Sequence, residues 1–151
     1  MEPIHYIVTR WSLYDPSYFH GFKIVIDSKK EDIKQKLFDP KRLKAKFEFF
    51  EKMTYPSVKN QTYKNYEWYI YTSTLLPQEY KDKLEKLQTS NIKIIYTESF
   101  AGVRTHFENV ISLKKEYTSI SIDDDDGIAP TFLEKLNNHS HQIGKLITFS
   151  R

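Results

Sequence analysis

The sequence contains no cysteine, so disulfide bonds, a thiolate nucleophile and a cysteine zinc site are excluded. No apolar run approaches the ~20 residues needed to cross a bilayer. Residues 1–3 carry neither the basic nor the apolar segment of a signal peptide. We therefore expect no membrane span and a cytoplasmic location.

A large excess of charge of one sign is also absent. The chain has 23 Lys and Arg residues against 20 Asp and Glu, which gives a formal net charge of +3. Such a small charge does not indicate a nucleic-acid partner unless a basic stripe accompanies it. The densest basic stretch, KRLKAK at residues 41–46, is predicted to be the solvated face of a helix. We therefore expect no nucleic-acid binding.

The composition and the order of apolar runs indicate the fold class. With 151 residues, 39% of them hydrophobic and 28% charged, the chain is long enough for one globular domain over residues 1–151. Short β-branched and aromatic runs predict strands, and apolar residues at helical spacing predict helices. The strands are expected at residues 4–9, 66–72, 92–96, 118–122 and 145–149, with a short strand or extended segment at 22–26. The helices are expected at residues 40–53, from 77, from 103 to near 117 and from 130, with a connection at 56–65. This alternation predicts an α/β fold with a mostly parallel sheet flanked by helices.

Four consecutive aspartates, Asp123, Asp124, Asp125 and Asp126, follow the fourth predicted strand. In open α/β sheets, ligands bind beyond the carboxyl ends of the strands. Mg²⁺ and Mn²⁺ take oxygen ligands, commonly one or two carboxylates together with substrate phosphates. An Asp-x-Asp pair just past a strand therefore predicts a metal site in which the phosphates of a substrate supply the remaining ligands.

The acidic run has two other interpretations. An EF-hand loop that places Gly127 at its sixth position would have Ile122 at position 1 and Leu133 at position 12. Both key acidic ligands are then missing, which excludes the EF-hand. An exposed acidic turn that caps the next helix stays as the alternative to a metal site.

Four stretches occur in a fixed order along residues 4–136. They are VTRW at 8–11, YPSVKNQT at 55–62, YEWYIYTSTLLP at 66–77, and SIDDDDG at 121–127 with Phe132. Together they resemble glycosyltransferases of the GT-A fold, and more narrowly the rhamnosyltransferase-like group of bacteria and large viruses. The resemblance implies a GT-A (Rossmann-like) nucleotide-diphospho-sugar transferase fold. It also implies transfer of rhamnose or another hexose from a nucleotide-diphosphate sugar donor to a glycan or other hydroxyl acceptor, with Mn²⁺ or Mg²⁺ as cofactor.

The same resemblance implies roles for individual residues. Asp125 would ligate the cation that the donor's diphosphate bridges, Asp123 would contact the ribose or the metal shell, and Asp126 would ligate or orient. Arg104 would pair with a phosphate or simply be a solvated helix residue. The donor-binding set implied in this way is Thr9, Arg10, Thr72, Ser73, Arg104, Asp123 and Asp124.

Other residues of the matched stretches have simpler interpretations. Trp11 and Trp68 are expected to pack in the core or a lid, and Gln61 to cap or bridge a loop. His139 and His141 are expected in a solvated loop rather than at the metal.

The sequence does not identify a catalytic base. After Asp126 the only acidic residue is Glu134, which falls inside a predicted helix. We therefore expect the acceptor half of a GT-A enzyme to be missing, reduced or supplied by a further domain or subunit, with the fold truncated at its carboxyl end. Two other functions stay open. One is a non-catalytic or partial donor-binding module descended from a glycosyltransferase. The other is a metal-dependent nucleotidyltransferase, which ranks lower because residues 1–20 contain no glycine for a phosphate loop.

Overall fold

The computed structural model describes residues 4–17, 30–114 and 116–139. The segments predicted at 22–26 and 145–149, and His141, lie outside the described residues. Short runs rich in β-branched and aromatic residues form the strands of the described part, each close to its predicted bounds. These strands are β1 (Ile4–Trp11), β2 (Tyr66–Ser73), β3 (Ile92–Thr97) and β4 (Tyr117–Ser121).

The four strands form one parallel sheet in the order β3-β2-β1-β4. β1 pairs with β2 as far as Trp11 opposite Thr72, and with β4 as far as Val8 opposite Ser121. The chain therefore runs outward from β1 to β3 and then returns to the other side of β1. The strand order reverses between β1 and β4, which is where open α/β sheets form a ligand crevice. The all-parallel sheet confirms the predicted fold class.

Helices connect the strands and cover both faces of the sheet. α2 begins at Pro40, and Asp39 caps it by accepting a hydrogen bond from the Arg42 backbone N–H at 2.9 Å. The helices are α1 (Lys30–Leu37), α2 (Pro40–Phe49), α3 (Tyr55–Lys59), α4 (Gln78–Glu85), α5 (Phe100–Ile111) and α6 (Phe132–His139), with a π-helical turn (Phe50–Thr54) between α2 and α3.

The core has one part on each face of the sheet. On the larger side Trp11 and Trp68 are fully buried, and Leu43 of α2 and Leu84 of α4 pack against them. This confirms that the two tryptophans pack inside the protein. On the other side α5 covers the aromatic rings of Tyr6, Tyr69 and Tyr71 through Val103, Phe107, Val110 and Ile111.

Two boundaries differ from the sequence-based prediction. Residues 56–59 continue the helical path, although a connection was predicted from residue 56. A proline inside an α-helix lacks a donor and clashes with the carbonyl four residues earlier. Here a π turn precedes Pro56, and the Tyr55 N–H bonds to the Phe50 carbonyl five residues back, which widens the helix at that point. α5 ends at Ile111 rather than near residue 117, because Tyr117 already pairs with Ile4 in the sheet.

No helix was predicted from the sequence at the position of α1. This segment forms a helix nonetheless, because Ile33 and Leu37 lie four residues apart and are both buried.

Candidate functional site

The acidic run leaves the sheet at the carboxyl end of β4, beside β1, where the strand order reverses. The Ile122 N–H donates to the Val8 carbonyl at 3.0 Å, so the pairing with β1 continues one residue past β4. The Asp126 N–H then donates to the Asp123 carbonyl at 3.1 Å, which closes a turn. The four aspartates therefore lie at the predicted ligand edge of the sheet.

The four carboxylates have different surroundings. Asp124 is buried, whereas Asp123, Asp125 and Asp126 are exposed. Within the described residues, no hydrogen bond or ion pair engages the three exposed carboxylates. Exposed and buried carboxylates therefore alternate from Asp123 to Asp125. Asp123 and Asp125 lie exposed on either side of a buried residue, as an Asp-x-Asp ligand pair requires.

Asp124 is held from two directions by the helical segment after β1. The Lys46 ammonium lies 2.6 Å from its Oδ1 and 2.5 Å from its Oδ2. The Thr54 hydroxyl donates to its main-chain carbonyl at 2.9 Å. Burial raises the pKa of the Asp124 carboxyl, and the Lys46 ammonium opposes that rise. Although Asp124 was predicted to contact the donor, its carboxylate already faces Lys46 inside the protein.

A second cation of α2 lies beside the end of β1. The Arg42 Nη1 donates to the Leu37 carbonyl at 2.7 Å and to the Ser12 hydroxyl at 3.3 Å. Ser12 has a φ of 47°, in the left-handed region that few residues other than glycine adopt. The basic stretch at 41–46 is therefore only partly the solvated face that the sequence indicated. Two of its four cations, Arg42 and Lys46, contact Ser12 and Asp124 instead.

Residues 55–62 and the acidic loop form one structural unit, because Gln61 joins them. Its side-chain amide donates to the Ser57 carbonyl at 2.9 Å and to the Ala129 carbonyl at 2.7 Å. Its side-chain oxygen accepts from the Leu133 N–H at 3.0 Å. Gln61 is fully buried, and its predicted role in bridging a loop is confirmed.

Ser57 and Thr62 add further bonds between the same two segments. The Ser57 hydroxyl accepts from the Ile128 N–H at 3.2 Å. The Thr62 N–H donates to the Pro130 carbonyl at 2.9 Å, and its hydroxyl donates to the Glu134 carboxylate at 2.9 Å. The loop from residue 124 to α6 is therefore fixed along its length by side chains of the preceding motif.

The donor-binding residues predicted at the ends of β1 and β2 differ in accessibility. Thr9 is fully buried, and its hydroxyl accepts from the Trp68 Nε1 at 3.0 Å. Thr72 is fully buried, and its hydroxyl has no hydrogen-bond partner among the described residues. Ser73 is buried, and its hydroxyl accepts from the Leu75 N–H at 3.1 Å. Arg10 alone of these four is exposed, with its guanidinium 5.1 Å from the centre of the Phe100 ring.

The start of α5 already has its own capping groups. The Asp15 carboxylate accepts from the Phe100 N–H at 2.8 Å, and the Ser99 hydroxyl accepts from the Gly102 N–H at 3.0 Å. Arg104 is exposed and donates from Nε to Glu108 at 2.8 Å, one helical turn away. This geometry favours the solvated alternative for Arg104. No sequence motif marked Asp15 or Lys46, because each acts on a segment far away in the chain.

The exposed carboxylates suit a divalent cation whose coordination shell is completed by a substrate. Within residues 4–17, 30–114 and 116–139, no three His, Asp or Glu side chains are gathered so that they could hold a metal ion. His139 lies in the last turn of α6 with its Nδ1 2.7 Å from the Lys135 carbonyl. Two carboxylates plus phosphate oxygens are a common arrangement for Mg²⁺, which keeps part of its shell for water and substrate. Asp123 and Asp125 fit that arrangement.

Comparison with known proteins identifies the family. No helix in the described part of the chain is long and apolar enough to cross a membrane. No curated protein and no solved structure matches the sequence. A protein-family model described as "Putative rhamnosyl transferase" matches residues 5–151, and the parallel α/β sheet is consistent with a Rossmann-like glycosyltransferase fold. The chain therefore belongs to this rhamnosyl transferase family, whose description indicates a glycosyltransferase.

Proposed function

We propose that the protein binds a nucleotide-diphosphate sugar in the crevice between β1 and β4 and transfers the sugar to a hydroxyl acceptor. One observation carries the proposal. Asp123 and Asp125 are exposed at the point where the strand order reverses, and Asp124 between them is turned inward. Membership in a rhamnosyl transferase family supports sugar transfer, with rhamnose as the first sugar to test.

The exposed carboxylates would hold Mn²⁺ or Mg²⁺. Asp123 and Asp125 would be the protein ligands, with Asp126 as a further nearby oxygen source. When bound, the ion acts as a Lewis acid and neutralises charge that develops on the departing nucleotide diphosphate.

Basic side chains of the chain itself surround the same crevice. Arg42 contacts the residue that follows β1, and Lys46 lies against the acidic loop. Arg10, at the end of β1, has an exposed guanidinium that rests on Phe100. Guanidinium groups bind phosphate oxygens through paired N–H donors. We assign to Arg10 a contact with the donor phosphates, because it is the exposed one of the four predicted donor-binding residues at the ends of β1 and β2.

A donor-binding module without transferase activity is the second candidate. Glu134 is the only carboxylate after Asp126 in the sequence, and it accepts a hydrogen bond from Thr62 at 2.9 Å. An inverting enzyme needs a carboxylate base close to the acceptor hydroxyl. The engagement of Glu134 with Thr62 favours a structural role for it over a role as that base.

Calorimetry with UDP-, dTDP- and GDP-sugars, each with and without Mn²⁺, tests donor binding. The wild type is expected to bind one of these donors only when Mn²⁺ is present, and Asp125→Ala is expected to abolish that binding. Glu116→Ala is a matched control. It removes the same charge from an exposed residue that precedes β4, at the opposite edge of the sheet. Metal-independent binding, or no binding to any of the three donors, contradicts the proposal.

Product analysis separates the two candidate functions. Release of nucleotide diphosphate in the presence of Mn²⁺ is measured over hours for the wild type and Asp125→Ala. Slow donor hydrolysis by the wild type, but not by Asp125→Ala, supports a glycosyl-transferring site. Tight metal-dependent binding with no release of product supports the donor-binding module.

A further inference from the structure

We infer that Lys46 is a positioning residue, which fixes the acidic loop by drawing Asp124 inward so that Asp123 and Asp125 face the donor. The inference rests on the proposed function and adds to it a residue that lies 78 positions before Asp124 in the sequence. Lys46 acts through Asp124 and is not expected to touch the metal.

The exposure of the loop residues supports this role. The Asp124 side chain is 8% exposed and the Lys46 side chain is 20% exposed, so their ion pair is largely sheltered from water. These residues lie in one turn, which the bond from the Asp126 N–H to the Asp123 carbonyl closes, and Asp123 and Asp125 on either side of Asp124 are exposed. Holding Asp124 on the inner side of this turn therefore keeps Asp123 and Asp125 on its outer side.

The helical segment holds Asp124 by its main chain as well. Thr54 lies eight residues after Lys46 and donates its hydroxyl to the Asp124 carbonyl at 2.9 Å. In an uninterrupted α-helix, residues eight apart point about 80° away from each other around the axis. The π turn Phe50–Thr54 has a wider turn and so rotates less per residue, which brings Thr54 back toward the side of Lys46. Such turns are frequent at functional sites, and this one allows two contacts with a single aspartate.

The charges explain why the loop depends on Lys46. Four adjacent carboxylates repel one another, and burying one of them without a cation is strongly unfavourable. If Lys46 loses its charge, Asp124 gains free energy by turning out to water. The neighbouring carboxylates then lose their outward arrangement, and the affinity of the site for a divalent cation falls.

Three variants separate positioning from simple stabilisation. Lys46→Met removes the cation, and Lys46→Met/Asp124→Asn removes both charges so that no buried carboxylate is left unpaired. Lys44→Met is the control, because Lys44 is an exposed lysine of the same helix. For each variant we would measure thermal unfolding without metal, Mn²⁺ affinity from loss of the free-ion EPR signal, and calorimetric binding of UDP, dTDP and GDP with Mn²⁺.

Lys46→Met is expected to lower both the melting temperature and the affinity for Mn²⁺ with nucleotide. The double variant is expected to regain most of the melting temperature, while its affinity stays roughly 10-fold or more below that of the wild type, as for other residues that orient metal ligands. Lys44→Met is expected to match the wild type in every measurement.

Two results would overturn the inference and can be told apart. If the double variant recovers wild-type affinity together with wild-type stability, Lys46 only stabilises the fold, and the proposed function stands. If the wild type itself binds neither Mn²⁺ nor any of the three nucleotides, the proposed function fails and the positioning role fails with it.

Discussion

The side-chain oxygen of Gln61 accepts a hydrogen bond from the main-chain N–H of Leu133, at 3.0 Å and across 72 residues of sequence. The amide nitrogen of the same side chain donates to the carbonyls of Ser57 and Ala129. One buried glutamine therefore joins the end of α3, the acidic loop and the start of α6. The loop that carries the proposed ligands is held as part of the rigid core rather than as a free surface segment.

Replacing Gln61 with Met, which has a similar shape, should destabilise the protein by about 1 to 3 kcal/mol, the typical cost of a buried polar group that loses its partner. The variant leaves the buried Leu133 N–H without its acceptor. The Ala129 carbonyl loses the bond from Gln61 but still accepts from the Phe132 N–H at 2.9 Å. Chemical denaturation monitored by tryptophan fluorescence measures this loss. Gln78→Met is the control, because the Gln78 side chain is exposed and donates to the Asp82 carboxylate on the same helix. Equal stability of the two variants would show that the buried bonds of Gln61 contribute nothing.

A second prediction concerns Thr9, which was expected in the donor pocket and whose hydroxyl accepts from Trp68. Thr9→Val keeps the shape of the side chain but leaves the Trp68 N–H without an acceptor. The free energy of unfolding should therefore fall by about 1 to 3 kcal/mol. Donor affinity, measured by calorimetry at a temperature where the variant is fully folded, should not change. A loss of donor affinity without a loss of stability would place Thr9 in the donor pocket after all.

The sequence was sufficient to predict the strands and their parallel arrangement. Each strand is a short run of β-branched and aromatic residues, and the helix between two strands shows clear apolar spacing at residues such as Tyr80 and Leu84. These are local signals. The position of the acidic run also followed from the sequence, because parallel strands bring their carboxyl ends to the same edge of the sheet.

The contacts within the site could not be predicted in the same way. Lys46 looks like any helix lysine in a basic stretch, and only the folded chain places it against Asp124. The helix across Pro56 was missed because proline ordinarily ends a helix, and the π turn that accommodates it leaves no sequence signal. Asp15 had no motif around it, and its contact with Phe100 joins residues 85 positions apart.

Gly102 provides a third prediction, because α5 begins very close to the end of β3. A Cβ added at Gly102 would lie 2.1 Å from the Thr97 Oγ1, which is too close for any real contact. Gly102→Ala should therefore destabilise the protein by about 1 to 2 kcal/mol, although alanine normally favours a helix.

The second half of a double-mutant cycle tests whether that contact is the cause. Thr97→Ala removes the oxygen, so Gly102→Ala made in that background should be neutral or stabilising by up to about 1 kcal/mol. Melting temperatures of the wild type, the two single variants and the double variant give the coupling between Thr97 and Gly102. An equal penalty for Gly102→Ala in both backgrounds would mean that Thr97 is not responsible.

The last prediction concerns the pH dependence of stability and the buried residue His5. His5 is fully buried beside Tyr63, with ring centres 5.0 Å apart, and neither ring nitrogen has a hydrogen-bond partner among the described residues. Burial lowers the pKa of His5 from 6.5 to about 4. Between these values the unfolded chain binds a proton that the folded protein does not. The contribution of neutral His5 to the free energy of unfolding is therefore fully present above pH 6.5 and is lost as the pH falls from 6.5 to about 4.

His5→Phe removes this titration, so the stability of the wild type relative to the variant should decline through that window and level off below it. Urea unfolding of both proteins in matched buffers from pH 7.5 to 3.5 measures the difference between their free energies of unfolding. Groups that titrate in both proteins contribute equally and cancel from this difference. A difference that stays constant over the whole range would show that His5 protonates equally in the folded and unfolded states.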